Sequence, residues 1–495
     1  MRDFPLLSLI LFLPFMGVFL VWLGRNLRWT RRLALATVAV DLLLALLLLA
    51  GFEPAQTGFQ FVEEGAWIPT LNIHYRVGVD GISILFIPLS MLLFAGVILA
   101  SWTAVQVLPQ LYYAFLLLLL GSTLGIFLAL DTLLFYLFWE LTLLPLYFLI
   151  SLWGIGPNRR YAAVKYVLLM LVGGVPLLFA FLLLAFHHAN PAAGSVGLVF
   201  DLNELLRVPL SPSQQTSVFF LLLLGFAVKA PVVPFHTWLP VVAMEGPAAV
   251  VALVTGLKLG AYGLLRFAIP LAPVAAQTFH WLLAGLGVVG IFYGALAALS
   301  QTNLRRMLAF SSLNHVGLVI LGIAAFNLQG VQGALLQLLN FTLTAGGLFL
   351  LTGLLHHRIG STDVIHLGGV FRTMPLLTAF FFLLGLASLG IPGTSGFPAE
   401  HLLLIGALQK HTGSGLAALA GMVLGAAYFL TFYRRAFLGP VRNPVVAETL
   451  DLTRHELALM MVFSILVFLV GFAPRLVLEM IGPATEHWVG QLVPP

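Results

Sequence analysis

Residues 225–266 read GFAVKAPVVPFHTWLPVVAMEGPAAVVALVTGLKLGAYGLLR, and this stretch decides the fold. It is apolar enough to lie in a bilayer, yet it carries Lys229 in one hydrophobic run and Lys258 in the next. A lysine deep in a membrane helix costs about 3 kcal/mol, and a proline inside a helix costs about 3 kcal/mol more unless neighbours compensate. Pro231 and Pro234 follow Lys229 within a turn and a half. Charge and helix breakers at one place indicate a functional site inside the membrane.

The composition of the whole chain is that of a membrane protein. Of 495 residues, 61% are hydrophobic and 8% charged, against about 45–50% and about 25% in soluble domains. The absence of cysteine excludes disulfides, thiolate-held iron–sulfur clusters and cysteine-ligated zinc. The net charge of +5 comes from basic residues scattered over short loops, which indicates membrane orientation and no nucleic-acid partner.

Hydrophobic windows of about 20 residues, the length that crosses a bilayer as a helix, recur along the chain. They predict an all-α integral membrane protein with about 14 transmembrane helices in a single polytopic domain, 1–495. The segments between them are too short for a soluble domain. The predicted spans are 4–24, 31–52, 81–102, 112–130, 132–153, 162–187, 216–235, 247–269, 278–299, 307–326, 332–355, 374–409, 414–438 and 457–474.

Two of these spans are interrupted by helix breakers, the seventh around Lys229–Pro234 and the twelfth by GIPGTSGFPAEH at 390–401. Because they lie five helices apart, the two segments cross the membrane in opposite directions. Paired broken helices of opposite orientation are typical of transporters built from two inverted repeats, here of five helices each. The predicted divisions are helices one to three (1–111), a first half (112–269), a second half (278–438) and a C-terminal helix (457–474).

The basic residues of the connecting segments divide unevenly between the two sides of the predicted bundle. Five lie on one side: Arg2, Arg76, Arg207, Lys410 and Arg475. Fourteen lie on the other: Arg25, Arg28, Arg31, Arg32, Arg159, Arg160, Arg305, Arg306, Arg358, Arg372, Arg434, Arg435, Arg442 and Arg454. Because the side richer in Lys and Arg is cytoplasmic, we expect both termini on the periplasmic side of a bacterial inner (plasma) membrane.

Ionisable residues remain inside the spans after the loop charges are removed: Glu140, Lys165, Lys229, Lys258, His315 and Glu400. One interpretation is that they form buried ion pairs or hydrogen bonds that hold helices together. The pattern favours a proton relay, because the deep basic residues are lysine or histidine, which release protons far more readily than arginine. Arg266 lies near a helix end, and we interpret Asp41 in the second span as a helix contact.

Polar residues near His315 suit a chain of water molecules, although ordinary interhelical hydrogen bonding is the other interpretation. They are Ser311, Ser312 and Asn314 on the same span and Gln337, Asn340, Thr342 and Thr344 on the next. The chain has no P-loop and no dinucleotide-binding fingerprint. We therefore expect no cofactor or metal in this chain and no direct drive by ATP.

Six segments carry a resemblance to a known family. They are VGVDGISILF (77–86), FWELTLLP (138–145), PFHTWLP (234–240), GLKLGAYGLLR (256–266), NLRRMLAFSSLNHVGL (303–318) and ASLGIPGTSGFPAEHLLL (387–404). Over roughly residues 75–440 the chain resembles the antiporter-like subunit M of respiratory complex I, the proton-pumping NADH:quinone oxidoreductase.

The resemblance implies roles for the buried residues. Glu140 and Lys229 resemble the charge pair of the first half-channel, Lys165 the helix-six lysine, and Lys258 the central connecting lysine. Glu400 resembles the terminal residue of the second half-channel, where subunit M-like members carry Glu while L-like, N-like and Mrp proteins carry Lys. The family places NAD, FMN, iron–sulfur clusters and quinone in other parts of the complex, with L-like and N-like antiporter subunits as neighbours of this one.

The chain departs from the family pattern at three places. Val241, Val242 and Ala243 follow WLP where the family has Asp-Ala-His. Phe341 occupies the position of a helix-eleven histidine, and Asn303 that of an acidic residue. The two missing histidines imply a proton route that shifts toward water held by Asn340 and Thr342.

The residues and the resemblance together predict a proton-translocating membrane subunit of a redox-driven complex. The subunit does no redox chemistry. The predicted proton route runs from Glu140 and Lys229 through Lys258 and His315 to Glu400. One alternative is an Mrp-like cation/proton antiporter subunit. The other is a non-pumping structural subunit of a related membrane hydrogenase or carbon-uptake complex.

Overall fold

The computed structural model describes residues 4–24, 26–189, 197–207 and 210–492. Arg2 and Arg25, which entered the charge comparison, lie outside the described residues. Among the residues described, ten helices are long and apolar enough to cross a membrane, and three shorter apolar helices of 10–17 residues accompany them. The prediction of a polytopic helical membrane protein is confirmed.

The N-terminal part contains a β-hairpin that the hydropathy windows did not predict. Its elements are α1 (Leu6–Trp22), α2 (Leu27–Ala50), β1 (Gln60–Ile68), β2 (Ile73–Val79) and α3 (Phe86–Ala100). The antiparallel strands are joined through a 3₁₀ turn that ends at Asn72 in the left-handed conformation, φ 56°, which asparagine tolerates better than most residues. The all-α prediction is therefore wrong for 60–79, because windows of helical length do not register strands of nine and seven residues.

The hairpin holds the beginning of α1 through a carboxylate. Glu63 accepts hydrogen bonds from the backbone N–H groups of Leu7 (2.7 Å) and Ser8 (2.9 Å), which have no partner inside the helix. The Ser8 hydroxyl donates to the same carboxylate and lies 2.7 Å from the Tyr75 hydroxyl. Burial raises the pKa of the Tyr75 phenol. The phenol therefore stays protonated at neutral pH.

The next part of the chain contains the first predicted break. Its helices are α4 (Pro109–Leu128), α5 (Thr132–Leu141), α6 (Leu143–Trp153), α7 (Arg159–His188), α8 (Leu202–Arg207), α9 (Pro212–Lys229), α10 (Trp238–Glu245), α11 (Ala248–Gly256), α12 (Leu259–Gly263), α13 (Ile269–Leu271) and α14 (Pro273–Thr278). Helix α9 ends at Lys229, at the start of the interruption predicted around Lys229–Pro234. The chain then resumes a helix at α10, beyond the predicted end of the span at 235.

The eighth predicted span is also broken, which the sequence analysis missed. Lys258 has a left-handed backbone, φ 46°, between α11 and α12, and residues Leu264–Ala268 form a π-helical turn. Gly260 brings α12 against the end of α9, where a Cβ atom at this position would overlap the backbone N of Ala230. Close backbone contact of this kind requires glycine. No proline marks the site, so only the structure reveals the break.

The remaining part contains the second predicted break. Its helices are α15 (His280–Leu299), α16 (Leu304–Ala324), α17 (Leu328–Ile359), α18 (Val370–Thr373), α19 (Pro375–Ser388), α20 (Gly396–Lys410), α21 (Thr412–Ala436), α22 (Pro444–Glu448), α23 (Arg454–Phe472) and α24 (Arg475–Leu492). The interruption between α19 and α20 confirms the prediction. Helix α24 was not predicted, because its alternating polar residues lower its hydropathy.

Burial identifies the centre and the periphery of the bundle. The apolar window of α16 is 100% buried and that of α17 is 89% buried, whereas the windows of α2 and α23 are only 33% buried. Helices α2 and α23 therefore present apolar side chains to the surroundings, as expected of lipid-facing helices. Helices α16 and α17 form the interior against which the broken helices pack.

A buried ion pair joins the end of the hairpin to the π-helical turn. Arg266 donates to both carboxylate oxygens of Asp80, at 2.7 and 2.5 Å, and to the Tyr262 hydroxyl at 3.3 Å. The Trp488 indole N–H of α24 donates to the Leu265 carbonyl at 2.9 Å. Hairpin, broken helix and C-terminal helix therefore meet at one place.

We predict that Asp80→Asn destabilises the folded subunit by about 3–5 kcal/mol, because it leaves the Arg266 guanidinium buried without its counter-charge. Thermal unfolding of the purified complex measures the change. The control is Glu479→Gln, which breaks an exposed pair with Arg475 of equally short distance, 2.6 Å, and which we expect to have little effect. Equal shifts in the two variants would contradict the assignment.

Candidate functional site

Lys229 ends α9 with its ammonium group facing the boundary between α5 and α6. The Nζ atom donates to the Thr142 hydroxyl at 2.8 Å and to the Trp139 carbonyl at 3.2 Å. It also lies 3.9 Å from the centroid of the Trp139 ring. Two hydrogen bonds and an aromatic face replace much of the hydration that the ammonium loses on burial. The break after Lys229 is what places the charge here.

Glu140 lies beside this group without a direct ion pair to it. Among the described residues, no contact at ion-pair distance joins Glu140 to Lys229, whose ammonium donates to Thr142 and Trp139. The Glu140 Oε1 atom is buried without a hydrogen-bond partner and faces Gly174 of α7, where a Cβ atom would overlap it. The two members of the expected charge pair are therefore near each other but not in direct contact.

Lys258 occupies the break in the next span and points into the second half of the chain. The residue is 2% exposed, and its Nζ donates a hydrogen bond to the Ser312 hydroxyl of α16. The Phe341 ring centroid of α17 lies 5.2 Å from the same nitrogen. The left-handed backbone at Lys258 thus delivers an ammonium to the centre of the bundle.

His315 and Glu400 form the far end of the row. The Nδ1 atom of His315 lies 3.5 Å from Oε1 of Glu400, and both side chains are buried. Glu400 Oε2 has no hydrogen-bond partner in the described chain, and it abuts Gly390, whose φ is +64°. The second helix break therefore makes room for a carboxylate, as the first makes room for an ammonium.

Two small cavities lie between these groups. The first, of about 30 Å³, is lined by both Lys229 and Lys258 together with Thr123 and Thr142. The second, of about 20 Å³, is lined by Ser311, Ser312, His315, Gln337, Phe341, Thr344 and Ser388 among others. A water molecule occupies roughly 10–15 Å³ on this measure, so each cavity has room for one or two. Residues and cavities alternate in one row from Lys229 to Glu400.

Polar pairs branch from the second cavity. Ser311 shares a hydrogen bond of 2.7 Å with Tyr428 of α21. Gln337 accepts from Asn340 at 3.3 Å, and Asn340 accepts from Ser395 in the second break at 2.6 Å. Four of the polar residues singled out in the sequence line this cavity: Ser311, Ser312, Gln337 and Thr344. Asn340 joins it through Gln337, whereas Asn314 and Thr342 donate to the backbone carbonyls of Ile291 and Gly256.

Lys165 and Asp41 lie apart from the row. Lys165 is half-buried on α7 with its Nζ 5.9 Å from the Tyr161 ring centroid, and no described hydrogen bond or ion pair joins it to the other five site residues. Asp41 on α2 is fully buried. Neither of its carboxylate oxygens has a hydrogen-bond partner within the described ranges, so the buried side chain makes its helix contact there without a hydrogen bond.

Sequence reasoning missed several groups that complete the site. Trp139 and Thr142 hold Lys229, and their only sequence signal is their position beside Glu140. Arg266 was set aside as a helix-end residue, yet it is 8% exposed and paired with Asp80. Asn303, which departs from the family pattern, caps α16 and donates to Asp363 at 2.7 Å.

Helices broken at buried charges and packed against the two most buried helices, α16 and α17, define an antiporter-like membrane subunit. A family model described as NADH:quinone oxidoreductase/Mrp antiporter, TM, matches residues 129–425. NADH-quinone oxidoreductase subunit M of Rhodobacter capsulatus is 38% identical over 501 residues, which covers 98% of this chain and 96% of that relative. The chain belongs to the NADH-quinone oxidoreductase subunit M family, which confirms the resemblance.

Solved structures share the fold over almost the whole chain. A chain of respiratory complex I from Thermus thermophilus with bound NADH aligns with a TM-score of 0.89 at 30% identity, covering 99% of this chain and 100% of the other. A chain of the Mrp complex from Dietzia sp. DQ12-45-1b aligns with a TM-score of 0.83 at 22% identity, covering 99% of each. The second likeness shows the fold alone.

We predict that Ser312→Ala destabilises the subunit by about 1.5–3 kcal/mol, the range for a hydrogen bond to a charged group, because Lys258 loses its acceptor. Thermal unfolding of the complex measures the loss. The matched control is Ser90→Ala, a fully buried serine whose hydroxyl donates only to the Phe86 carbonyl of its own helix. A loss no larger than that of the control would show that the Ser312 hydroxyl does not hold Lys258.

Proposed function

We propose that this chain is the proton-translocating membrane subunit of a redox-driven NADH:quinone oxidoreductase of the complex I type. The observation that carries the proposal is the row of titratable side chains and water-sized cavities from Lys229 to Glu400, with Glu140 beside its first member. Membership of the subunit M family supports the same conclusion. A soluble electron-transfer function has no support in a chain of apolar helices without cysteine.

The first transfer step is assigned to the Glu140–Lys229 region. A change of charge at Glu140 alters the electrostatic field at the Lys229 ammonium, which determines whether Lys229 keeps its proton. Water in the first cavity then links Lys229 to Lys258, since both line that cavity. Moving one charge against 100 mV requires about 2.3 kcal/mol, within the range that the approach or loss of a neighbouring charge supplies in a protein interior.

The second transfer step runs from Lys258 to Glu400. Ser312 accepts the hydrogen bond from Lys258 and borders the second cavity. Water there connects the hydroxyl to His315, and His315 passes the proton to Glu400 across the 3.5 Å separation. Glu400 then releases it at the second helix break. Lys165 is proposed to modulate the field near the first step, since it is a cation on α7, the helix whose Gly174 contacts Glu140.

The electron-transfer chemistry is proposed to occur in other subunits. NAD, FMN, iron–sulfur clusters and quinone belong to those parts of the assembly, and this chain responds to them through charge. Other membrane subunits are its partners, as expected from its structural relatives in multi-subunit complexes. L-like and N-like antiporter subunits are proposed as the direct neighbours.

The membrane arrangement is proposed to comprise fourteen crossings with both termini periplasmic. Besides the ten long apolar helices, the crossings are α1, α3, the broken pair α9–α10 and the broken pair α19–α20. Helices four to eight and nine to thirteen of this count form the two inverted halves, 112–269 and 278–438. The excess of basic residues on one side supports the orientation.

A cation/proton antiporter of the Mrp type is the second candidate, favoured by the shared fold. The first cavity argues against a sodium route, because two lysines line it and repel a metal cation.

A non-pumping structural subunit is the third candidate. It gives no reason for glycines that accommodate Glu140 and Glu400.

We predict that Glu140→Gln or Lys229→Ala reduces proton pumping to under about a tenth while the complex stays assembled, because the first step loses its switch or its carrier. Proton uptake by reconstituted complex during NADH oxidation measures this. The control is Lys410→Ala, an exposed lysine at the end of α20. Normal pumping at normal electron flux in both variants would remove these residues from the mechanism.

We also predict that proton uptake per NADH is unchanged when sodium is replaced by choline in the same vesicles, because the lysine-lined cavity excludes the metal ion. A fall in uptake that is restored by added sodium would favour the antiporter instead.

A further inference from the structure

Two hydroxyl groups border the first cavity without a hydrogen-bond partner. Tyr166 of α7 and Thr123 of α4 line this cavity together with Lys229 and Lys258. Both residues are only 1% exposed, and within the described ranges neither hydroxyl makes a hydrogen bond to the protein. Neither oxygen is among the fully enclosed unpartnered atoms of the described chain. Each hydroxyl oxygen therefore borders open space, and the space that both residues line is the cavity.

Trp238 fixes the position of Tyr166 relative to Lys229. The Trp238 indole N–H donates at 2.9 Å to the carbonyl of Val228, the residue before Lys229. The Tyr166 ring meets the Trp238 ring edge to face, with centroids 5.2 Å apart and ring planes at 68°. Trp238 also lines the cavity. The Tyr166 ring is thus held against the segment that carries Lys229.

The other polar groups at this cavity cannot satisfy a water molecule on their own. An ammonium group donates hydrogen bonds and accepts none, so neither Lys229 nor Lys258 can take a hydrogen from water while it is charged. The Thr142 hydroxyl already accepts from Lys229 and donates to the Trp139 carbonyl, at 2.8 and 2.7 Å. A water molecule between the two lysines therefore needs other acceptors, and the two unpartnered hydroxyls supply them.

Hydroxyl groups suit a water molecule whose partners change during proton transfer. While both lysines are charged, the water accepts from the two ammonium groups and donates to the two hydroxyl oxygens. Once one lysine is neutral, its amine nitrogen accepts a hydrogen from the water, and one hydroxyl turns to donate to the water instead. A hydroxyl can take either role because it is both a donor and an acceptor and its hydrogen rotates to suit its partner. The water therefore stays fully hydrogen-bonded in each charge state.

We infer that Tyr166 and Thr123 are positioning residues that hold the water molecule which carries the proton between Lys229 and Lys258. This inference rests on the proposed function and deepens it, because it names the side chains that order the water of the first cavity. An N–H bond of Lys229 breaks as an O–H bond to the water forms. Another O–H bond of the same water breaks as an N–H bond forms on the neutral Lys258 amine. The two hydroxyls keep their own protons.

The test uses Tyr166→Phe and Thr123→Val in the complete complex, reconstituted into vesicles. Each substitution removes one hydroxyl and nearly retains the volume of the side chain. We expect the rate of proton uptake during NADH oxidation to fall about fivefold in each variant, the factor equivalent to about 1 kcal/mol for one hydrogen bond. The ratio of the uptake rates in H₂O and D₂O rises, because proton transfer through the cavity becomes the slow step.

The matched controls are Tyr112→Phe and Thr378→Val, which remove buried hydroxyls that do not line the cavity. The Tyr112 hydroxyl lies 2.8 Å from the Ser101 hydroxyl, and the Thr378 hydroxyl donates to the Met374 carbonyl of the preceding turn at 2.8 Å. We expect both controls to keep the uptake rate and the isotope ratio of the unmodified complex, because a hydroxyl with a purely structural role does not affect the transfer step.

A conservative variant separates the hydroxyl from the packing of the side chain. Thr123→Ser keeps the hydroxyl, and we expect it to restore the uptake rate and the isotope ratio. Thermal unfolding identifies a folding defect, and Thr123→Ala replaces the valine variant where one occurs. An unchanged isotope ratio in both Tyr166→Phe and Thr123→Val, or an equal rise in the two controls, would overturn the inference.

The Lys258→Ala variant distinguishes failure of this inference from failure of the proposed function. Lost pumping in Lys258→Ala, together with unchanged uptake in Tyr166→Phe and Thr123→Val, would overturn the role of the hydroxyls and leave the proton route standing. Normal pumping in Lys258→Ala would overturn both. Lost pumping in Lys258→Ala with slowed uptake and a raised isotope ratio in the hydroxyl variants supports both.

Discussion

A lysine ammonium inside a bilayer must find its partners within the protein, because lipid tails offer neither hydrogen bonds nor counter-charge. This constraint explains the shape of the two broken spans around Lys229 and Lys258. Lys229 reaches the Thr142 hydroxyl and the Trp139 carbonyl because α9 stops there. Lys258 reaches Ser312 because its own backbone is left-handed. An uninterrupted helix would keep both side chains on a helical surface that faces other groups.

The two buried carboxylates, Glu140 and Glu400, are also cut off from water, but they are less completely hydrogen-bonded than the lysines. Glu140 and Glu400 each keep an oxygen without a hydrogen-bond partner in the described residues, and each is pressed against a glycine, Gly174 or Gly390. An unsatisfied buried oxygen is unfavourable in a group that serves only stability. In a carboxyl group that has to gain and lose a proton, the unpartnered oxygen is free to accept a hydrogen bond from the group or water molecule that delivers the proton. The lysines have hydrogen-bond partners, whereas each carboxylate keeps an oxygen without one. This difference fits a proton relay better than a set of structural ion pairs.

Hydropathy and helix breakers were sufficient to predict the helical membrane class, the breaks at Lys229 and at Gly390, and the buried residues of the row. They failed wherever the signal is not a long apolar run or a proline. The β-hairpin is too short for such windows, and the amphipathic α24 is too polar. The break at Lys258 depends on glycine contacts between α12 and α9 that a single sequence does not reveal. Likewise, the hydrogen bonds of Lys229 to Thr142 and to the Trp139 carbonyl are contacts that a single sequence does not reveal.

The central claim is that a hydrated row of side chains connects Lys229 with Glu400 through the interior of the bundle. A high-resolution electron cryomicroscopy map of the assembled complex tests it most directly, by the density in the gaps between those side chains. The account predicts ordered water in the cavity between Lys229 and Lys258 and in the cavity between Ser312 and His315, one or two molecules in each. Gaps filled by apolar side chains, with no water within hydrogen-bonding distance of either lysine, would contradict it.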